Sequence, residues 1–213
     1  MEESERTGAS EEARRILSHS RVGSFSDGVF AVIITIMVLQ LRLPAHPTFA
    51  ALFDEWPTAL SYVVSYLLIA IMWINHHFLL RSAGATTARL TLWIFAHMFA
   101  ASLVPFATAW MADTRFAPVP VFIYAAGILF VNFTYHGFAH EAIGRSSQKP
   151  GTLAMRRRAL ARSYVTIALF TLAMILALFA PLIAFALVTC VLLTYARPQI
   201  PGFSSQADGF LQL

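Results

Sequence analysis

Acidic and imidazole side chains interrupt stretches of this sequence that are otherwise strongly apolar. Asp27 lies within RVGSFSDGVFAVIITI, which begins at Arg21, and the second apolar run, SYVVSYLLIAIMWINHHFLL, contains the adjacent His76 and His77 near its end. Ionisable side chains are rare in membrane helices because their burial is costly, and they commonly belong to ion pathways or proton relays. These residues are therefore the first candidates for chemistry in the chain.

The depth of these groups in a membrane is predicted to be similar. Asp27 is six residues from Arg21, and His97 is eight residues from Arg89, which correspond to about 9 and 12 Å at the rise of an α-helix. His76 lies at a comparable depth, about 8 Å from the nearest arginine. We expect these side chains to form one polar layer near the cytoplasmic side, and the opposite leaflet to hold almost nothing comparable.

This polar layer has three interpretations. The most ordinary is that its members join neighbouring helices by polar contacts. A metal site is the second, since HGFAHE places His136 and His140 four residues apart on one helical face. Membrane di-iron enzymes need larger, repeated histidine clusters, so we predict no metal ligand, no cofactor and no enzyme activity. The third is a proton-coupled transporter that uses Asp27 and the histidines, although neither inverted repeats nor broken mid-membrane helices are evident.

The elements that must position the layer are predicted to be membrane helices. Hydrophobic residues make up 58% of the 213-residue chain and charged residues only 12%, with a mean hydropathy of +0.66. This composition predicts an all-α integral membrane protein rather than a soluble domain. Pro105 is expected to kink the third span, and Pro181 alone separates the last two. The six predicted spans are 24–43, 57–80, 90–112, 118–140, 162–180 and 182–197.

The distribution of basic residues predicts the orientation of these spans. Of the 15 lysines and arginines, 13 fall on one side, and only Arg42 and Arg115 fall on the other. Basic loops stay in the cytoplasm, so both termini are expected there. The polar arm 1–20, helical from Glu11, precedes a six-helix unit over 21–197 and a cytoplasmic tail over 198–213. The net charge of +4 then reflects topology and contact with anionic membrane lipid, not nucleic-acid binding.

The first span carries a regular stripe. Thr35 is its only polar side chain between Asp27 and Gln40. In one interpretation the stripe packs inside the protein, with Thr35 bonded to its own helix. In the other, several copies surround an axis, and the stripe becomes a narrow apolar passage with one ring of hydroxyls, while Ile33 faces lipid. At about 100° per residue, the members of the stripe are Val32, Thr35, Ile36 and Leu39.

Three motifs resemble those of the potassium channel family typified by lysosomal transmembrane protein 175. RVGSFSD matches the family's first-helix signature Arg-x-x-x-Phe-Ser-Asp, WINHH is similar to the Trp-x-x-His-His pattern of its second helix, and LVPFAT is similar to the Pro-Phe element of its third. The chain length resembles that of prokaryotic members, which carry one six-helix repeat. The motif residues are Arg21, Phe25, Ser26 and Asp27 in the first helix, and Trp73, His76 and His77 in the second.

The resemblance implies a potassium-permeable cation channel in the plasma membrane of a prokaryote. Four chains would form a homotetramer in membrane lipid, with K+ as the conducted ion and no pore-loop filter. The first helices would line the path, with Val32, Ile36 and Leu39 as the apolar constriction and Thr35 as the polar ring. Asp27 is then interpreted as the anchor of this helix. Its expected partners are Ser26, Trp73, Asn75, His76 and His97, and His77 completes the network.

Overall fold

The computed structural model describes the backbone of residues 2–83, 87–144 and 152–195, and the side chains of residues 20–81, 83, 87–142 and 164–194. Throughout these ranges the regular structure is α-helical, which confirms the all-α part of the predicted fold class. The tail over 198–213 lies outside the described residues. The helices are α1 Glu2–Val38, α2 Phe49–Asp54, α3 Trp56–Ser82, α4 Ala88–Ser102, α5 Val104–Asp113, α6 Pro118–Gly144, α7 Thr152–Ala177 and α8 Pro181–Tyr195.

Within the described ranges, four helical stretches are long and apolar enough to cross a membrane. They are Ser20–Val38, Trp56–Arg81, Ala88–Asp113 and Pro118–Ala142. Two further apolar stretches, Tyr164–Ala177 and Pro181–Thr194, are shorter. A crossing of the hydrocarbon core takes about 20 residues on average, so these four agree with the first four predicted spans. The total of six spans stays a prediction.

The first helix differs from its prediction at both ends. It begins at Glu2 rather than Glu11, so the polar arm and the first span are one continuous helix. It ends at Val38 rather than at residue 43, and the amide of Leu39 bonds the Ile36 carbonyl at 3.2 Å in a tightened final turn. Pro44 disfavours helical geometry at the residue before it, which helps to keep the following segment extended.

The third predicted span is broken, as Pro105 suggested. α4 ends at Ser102 and α5 begins at Val104, with Leu103 between them. Proline has no amide hydrogen and clashes with the carbonyl four residues earlier, so an unbroken helix cannot pass this point without distortion. The Ser102 hydroxyl donates to the Phe99 carbonyl at 2.7 Å and satisfies one carbonyl near the break.

α6 is the central helix of the bundle, and it packs against α3, α4, α5, α7 and α8. α1 lies on the flank, where it contacts α3, α4 and α5. α7 and α8 meet at a short turn in which the Ala180 amide bonds the Leu176 carbonyl at 2.8 Å, and Pro181 starts α8. One face of α1 is therefore left outside the packed core.

Candidate functional site

The two faces of α1 have opposite environments. Phe30, Ile33 and Met37 are buried against α3, α4 and α5, with at most 3% of each side chain exposed. The prediction that Ile33 faces lipid is therefore wrong. Because both faces of this helix are apolar, the sequence could not tell which one the rest of the chain covers.

The predicted stripe occupies the opposite, uncovered face. Val32, Ile36 and Leu39 are 55%, 43% and 81% exposed in the single chain, and Thr35 is exposed among them. Val32, Thr35 and Ile36 lie on the last two turns of α1, while Leu39 follows the helix end at Val38. No described residue covers the stripe, so the interpretation that it packs inside one chain does not hold for the described part of the bundle. The stripe is available there to lipid or to another molecule.

The Thr35 hydroxyl is oriented by its own helix. Its Oγ1 donates to the carbonyl of Val32 at 2.9 Å, three residues earlier. A hydroxyl has one hydrogen and two lone pairs, so this bond uses the donor and leaves the lone pairs of the oxygen free to accept. Thr35 consequently presents electronegative oxygen to whatever faces the stripe.

Asp27 joins α1 to α3 through a single side-chain hydrogen bond among the described residues. The indole Nε1 of Trp73 donates to Oδ1 of Asp27 at 2.8 Å. The ring of His77 stacks on that of Trp73, with centroids 5.6 Å apart and planes at 28°. Trp73 is therefore held on one side by an imidazole while it donates to the carboxylate.

The four other expected partners of Asp27, which are Ser26, Asn75, His76 and His97, form no hydrogen bond with it in the described structure. The Ser26 hydroxyl donates to the Val22 carbonyl at 2.9 Å, on its own helix. Asn75 forms no side-chain hydrogen bond among the described residues, and both ring nitrogens of His76 are buried without a hydrogen-bond partner there. The expected network around Asp27 is thus smaller than the sequence suggested, because neighbouring positions on a helix point in different directions.

The remaining first-helix motif residues lie near the surface. Arg21 is exposed, and Phe25 is 53% exposed, with its ring 5.6 Å from that of Phe95 on α4. Phe25 therefore helps to seat α1 on α4 from the edge of the exposed face.

His76 and His97 form the centre of a separate buried cluster. Their rings are parallel within 7°, with centroids 5.8 Å apart, and both side chains are 1% exposed. Phe30 of α1 meets His76 edge-on at 5.4 Å, and Phe138 of α6 lies 5.2 Å from it. The cluster therefore packs where α1, α3, α4 and α6 converge, one helical turn from Trp73.

The hydrogen bonds of Thr134 assign the protonation of His97. Its hydroxyl donates to a backbone carbonyl of α6, that of Val131 at 2.9 Å or of Phe130 at 3.1 Å, so its oxygen is left to accept. The Nδ1 of His97, 3.2 Å from that oxygen, then carries the hydrogen in this assignment. The Nε2 of His97 faces the cluster without a hydrogen-bond partner among the described residues.

The other histidines of the predicted polar layer lie elsewhere. The His136 ring contacts Tyr164 of α7 at 5.3 Å, and His140 is exposed. Among the described residues no group of three or more histidine, cysteine or acidic side chains is arranged to hold a metal ion. His136 and His140 do lie four residues apart on α6, as HGFAHE predicts. In the described structure they form no metal-binding group with His76 and His97.

A buried hydroxyl cluster occupies the opposite half of the bundle, where almost nothing comparable to the polar layer is expected. The Ser65 oxygen lies 2.9 Å from both the Tyr124 hydroxyl and the Thr108 hydroxyl, and all three side chains are buried. Ser61, one turn away on α3, is fully buried with its hydroxyl unpartnered among the described residues. The cluster could not be predicted from the sequence, because each member is an isolated hydroxyl in an apolar helix and its partners are distant along the chain.

A groove of about 710 Å³ runs beside the stripe. Its α1 wall includes Phe25, Val32 and Ile36, and its opposite wall includes Pro105 and Phe106 beyond the break between α4 and α5. The groove is continuous with the exposed face of α1, so the two form one uncovered apolar surface.

At the end of the bundle where α1 stops, which we call the connector end, two arginines make specific contacts. Arg42 pairs with Asp113 at 2.8 Å and ties the segment after α1 to the end of α5. Arg115 donates to the Asp54 carbonyl at 3.3 Å and ties α2 to the turn between α5 and α6. Arg115 and Phe116 both have positive φ, 50° and 62°, and Phe116 is buried in spite of this unfavourable backbone geometry.

Comparison with known proteins places these features in context. The family profile described as endosomal/lysosomal potassium channel TMEM175 matches residues 21–105, which include the Asp27–Trp73 bond, the stripe and the helix break. A potassium channel of Chryseobacterium sp. (strain P1-3) is 32% identical over 183 residues, which are 85% of this chain and 94% of that protein. A potassium channel of Streptomyces collinus is 36% identical over a shorter segment of 97 residues, 44% of this chain and 47% of that protein.

The fold is also similar to a solved structure. The crystal structure of a lysosomal potassium-selective channel TMEM175 homolog from Chamaesiphon minutus superposes with a TM-score of 0.73. The match covers 84% of this chain and 96% of that chain, at 24% sequence identity. It supports the same helical architecture for both chains.

Proposed function

The chain belongs to the family of the endosomal/lysosomal potassium channel TMEM175, and we propose that it conducts K+ through a pore formed by several copies of itself. This is a family of ion channels and not of enzymes. The alternative of a proton-coupled transporter that uses Asp27 and the histidines gains no support from these relatives.

The observation that carries the proposal is the uncovered stripe of α1 with a hydroxyl in its middle. A helix at the edge of a membrane bundle needs only apolar side chains if it faces lipid, whereas Thr35 adds an oxygen to that face. A single helix cannot enclose a passage, so copies must be arranged about an axis, and closed symmetric assemblies are the usual form. A homotetramer with α1 innermost is the arrangement that the family resemblance implies.

Thr35 supplies the polar ring of the proposed pore. Because its hydrogen is directed to the Val32 carbonyl, the ring presents oxygen lone pairs toward the axis. Such oxygens attract cations and can replace part of the hydration shell of an ion. The orientation therefore favours a cation over an anion at this level.

The apolar neighbours supply the proposed constriction. Val32 and Ile36 lie about one turn apart on α1, and Leu39 follows the helix end. Apolar rings narrow enough to exclude water oppose ion passage because an ion must shed hydration without replacement ligands. In this arrangement the aliphatic rings form the barrier and no pore-loop filter is needed.

The Asp27–Trp73 bond and the His76–His97 cluster support the pore helix from behind. The exposed stripe and the buried residues Phe30, Ile33 and Met37 occupy different faces of α1, so contacts on the buried face fix the rotation of the helix. We assign Arg21, Phe25, Ser26 and Asp27 to this anchoring role, together with Trp73, Asn75, His76, His77 and His97, rather than to ion coordination.

The proposed channel lies in the plasma membrane of a prokaryote with both termini in the cytoplasm. Arg42 and Arg115 occupy the connector end, and most other basic residues lie toward the opposite end of the predicted spans. The positive-inside rule then makes the connector end the outer one. The pore would open to the cytoplasm near Arg21.

A flux assay in liposomes tests the proposal directly. The purified chain is reconstituted under a K+ gradient, and K+, Na+ and proton movements are followed separately, with protein-free liposomes as the control. The expected result is K+ flux that exceeds Na+ flux. Native mass measurement in detergent accompanies the assay and should give four chains. A monomer at all concentrations, or a folded oligomer without K+ flux, would reject the channel.

A further inference from the structure

The short helix α2 carries an apolar face that the other described residues leave uncovered. Phe49, Leu52 and Phe53 are spaced at i, i+3 and i+4, which places them on one side of the helix. They are 81%, 54% and 73% exposed. Ala50 and Asp54 lie on the other side. Three large apolar side chains so exposed on six residues require a partner, because contact with water is unfavourable for each of them.

The connectivity fixes the level of α2 along the bundle. Glu55 alone separates α2 from Trp56, the first residue of the spanning stretch Trp56–Arg81. The carbonyl of Asp54 is also held by Arg115 in the turn between α5 and α6. The short link through Glu55 and the Arg115 hydrogen bond keep α2 at the connector end. The spanning helices stop there, so the membrane surface must lie at this level.

An aromatic stack holds this end of α3 against α8. The Trp56 ring is stacked on Phe116 with centroids 5.6 Å apart and planes at 21°, and Phe116 lies 4.9 Å from Phe185 on α8. Because Trp56 directly follows α2 and Glu55, these ring contacts place α2 near the α8 side of the bundle. The stripe that meets other copies in the proposed pore belongs to α1, which packs on α3, α4 and α5. This arrangement favours surrounding lipid over a second copy as the partner of α2.

We propose that the α2 face, formed by Phe49, Leu52 and Phe53, inserts into the boundary between lipid headgroups and acyl chains. A helix of six residues is about 9 Å long, too short to span the bilayer, and an amphipathic helix of this kind lies in the interface plane. Phenylalanine and leucine are typical of the apolar face of such helices, and Trp56 beside α2 is a residue type enriched at that depth. The insertion holds the segment after α1 at a fixed depth, so α2 acts as a lipid-facing anchor beside the end of the pore helix.

Spin labels on the full chain in liposomes test the proposal. Phe53→Cys and Ala50→Cys are each made on a Cys190→Ser background, so that the introduced thiol is the only one to be labelled. Leu52→Cys is a second reporter in case the first variant assembles poorly. Collisions with dissolved oxygen, which concentrates in the bilayer, are compared with collisions with a water-soluble nickel chelate.

The expected result is a several-fold higher ratio of oxygen to nickel accessibility at positions 53 and 52 than at position 50. Equal nickel accessibility on both faces would place α2 in water and overturn the proposal. Protection of positions 52 and 53 from both reagents would place α2 against protein, which overturns it in favour of a second copy. The inference requires a membrane-embedded chain and not ion conduction, so a conducting channel with a water-exposed α2 would reject this inference alone.

Discussion

The indole nitrogen of Trp73 lies 2.8 Å from a carboxylate oxygen of Asp27, and this bond joins the helix that carries the exposed stripe to its neighbour α3. The two residues are 46 positions apart in the sequence. A carboxylate bonded to a fixed donor sets both the height and the rotation of α1.

Trp73→Phe should destabilise the packing of α1 while it preserves an aromatic ring against His77. Hydrogen bonds to charged groups contribute about 1.5–3 kcal/mol, and the exposure of Asp27 places this one at the lower end. We expect a lower temperature of oligomer dissociation, measured by size exclusion after heating. Trp93→Phe serves as the control, since that ring packs on Phe133 without contacting Asp27. Equal losses in the two variants would contradict a specific anchor.

Ile36→Asn should increase cation flux and weaken discrimination between K+ and Na+. The amide would wet an apolar ring, and symmetry repeats the change in every copy, which lowers the dehydration barrier. Flux from reconstituted liposomes and bi-ionic reversal potentials measure the effect. Val38→Asn is the matched control, because Val38 is 46% exposed but lies off the stripe. Unchanged flux in assembled Asn variants at Val32, Ile36 and Leu39 would place the ion path elsewhere.

Thr35→Val should reduce the preference for K+ over Na+ with little effect on assembly. The replacement keeps the side-chain shape and removes the oxygen that the Val32 bond orients toward the stripe. Thr35→Ser restores the hydroxyl and should restore most of the preference. Reversal potentials under K+ and Na+ provide the measurement. If the valine variant keeps the original preference, the hydroxyl does not contact the ion.

Thr134→Val should lower the free energy of unfolding because it removes the acceptor of the His97 Nδ1–H. A buried donor without a partner costs about 1–3 kcal/mol. Thr189→Val is the control, since that hydroxyl bonds only the Phe185 carbonyl of its own helix among the described residues. Thermal unfolding of both variants in the same detergent decides the point. A smaller loss in Thr134→Val than in the control would reject the assigned tautomer.

Gly137→Ala should destabilise the chain although alanine is the better helix former by about 1 kcal/mol. A Cβ at this position would lie 2.5 Å from ring atoms of Trp93, so the indole must move. Overpacking of this kind costs about 1–3 kcal/mol. Gly127→Ala on the same helix is the control, since its Cβ would meet nothing within 4 Å. Melting temperatures in detergent should fall for the first variant and not for the second.

The helices and the stripe could be predicted from the sequence because apolar periodicity and proline positions report on local geometry. The break at Leu103 followed from Pro105, and the stripe from Val32 to Leu39 followed from helical spacing. The covered side of α1 could not be predicted, since Ile33 and Ile36 are chemically identical. Only the packing of α3, α4 and α5 distinguishes them.

The polar contacts were harder to predict because they depend on residues that are distant in sequence. Asp27 was recognised as costly, but Ser26 and His76 were expected to bond it and instead face other surroundings. Ser65 and Tyr124 are 59 positions apart, and their pairing leaves no local pattern. The short helix α2 was not predicted because six residues carry too little periodicity. The positive φ of Phe116 was not predicted either, because no glycine marks that position.

The uninterrupted backbone of α1 has a mechanical consequence. Its 37 residues from Glu2 to Val38 form a rod of about 55 Å, of which the stretch from Ser20 accounts for about half. Torque applied at the amino terminus is transmitted along this rod to Thr35 and Ile36, since the helix is continuous between them. A rigid protein joined to Glu2 through a continuous helix would therefore keep a fixed rotational orientation relative to the stripe. Each residue inserted at the junction would turn that protein by about 100°.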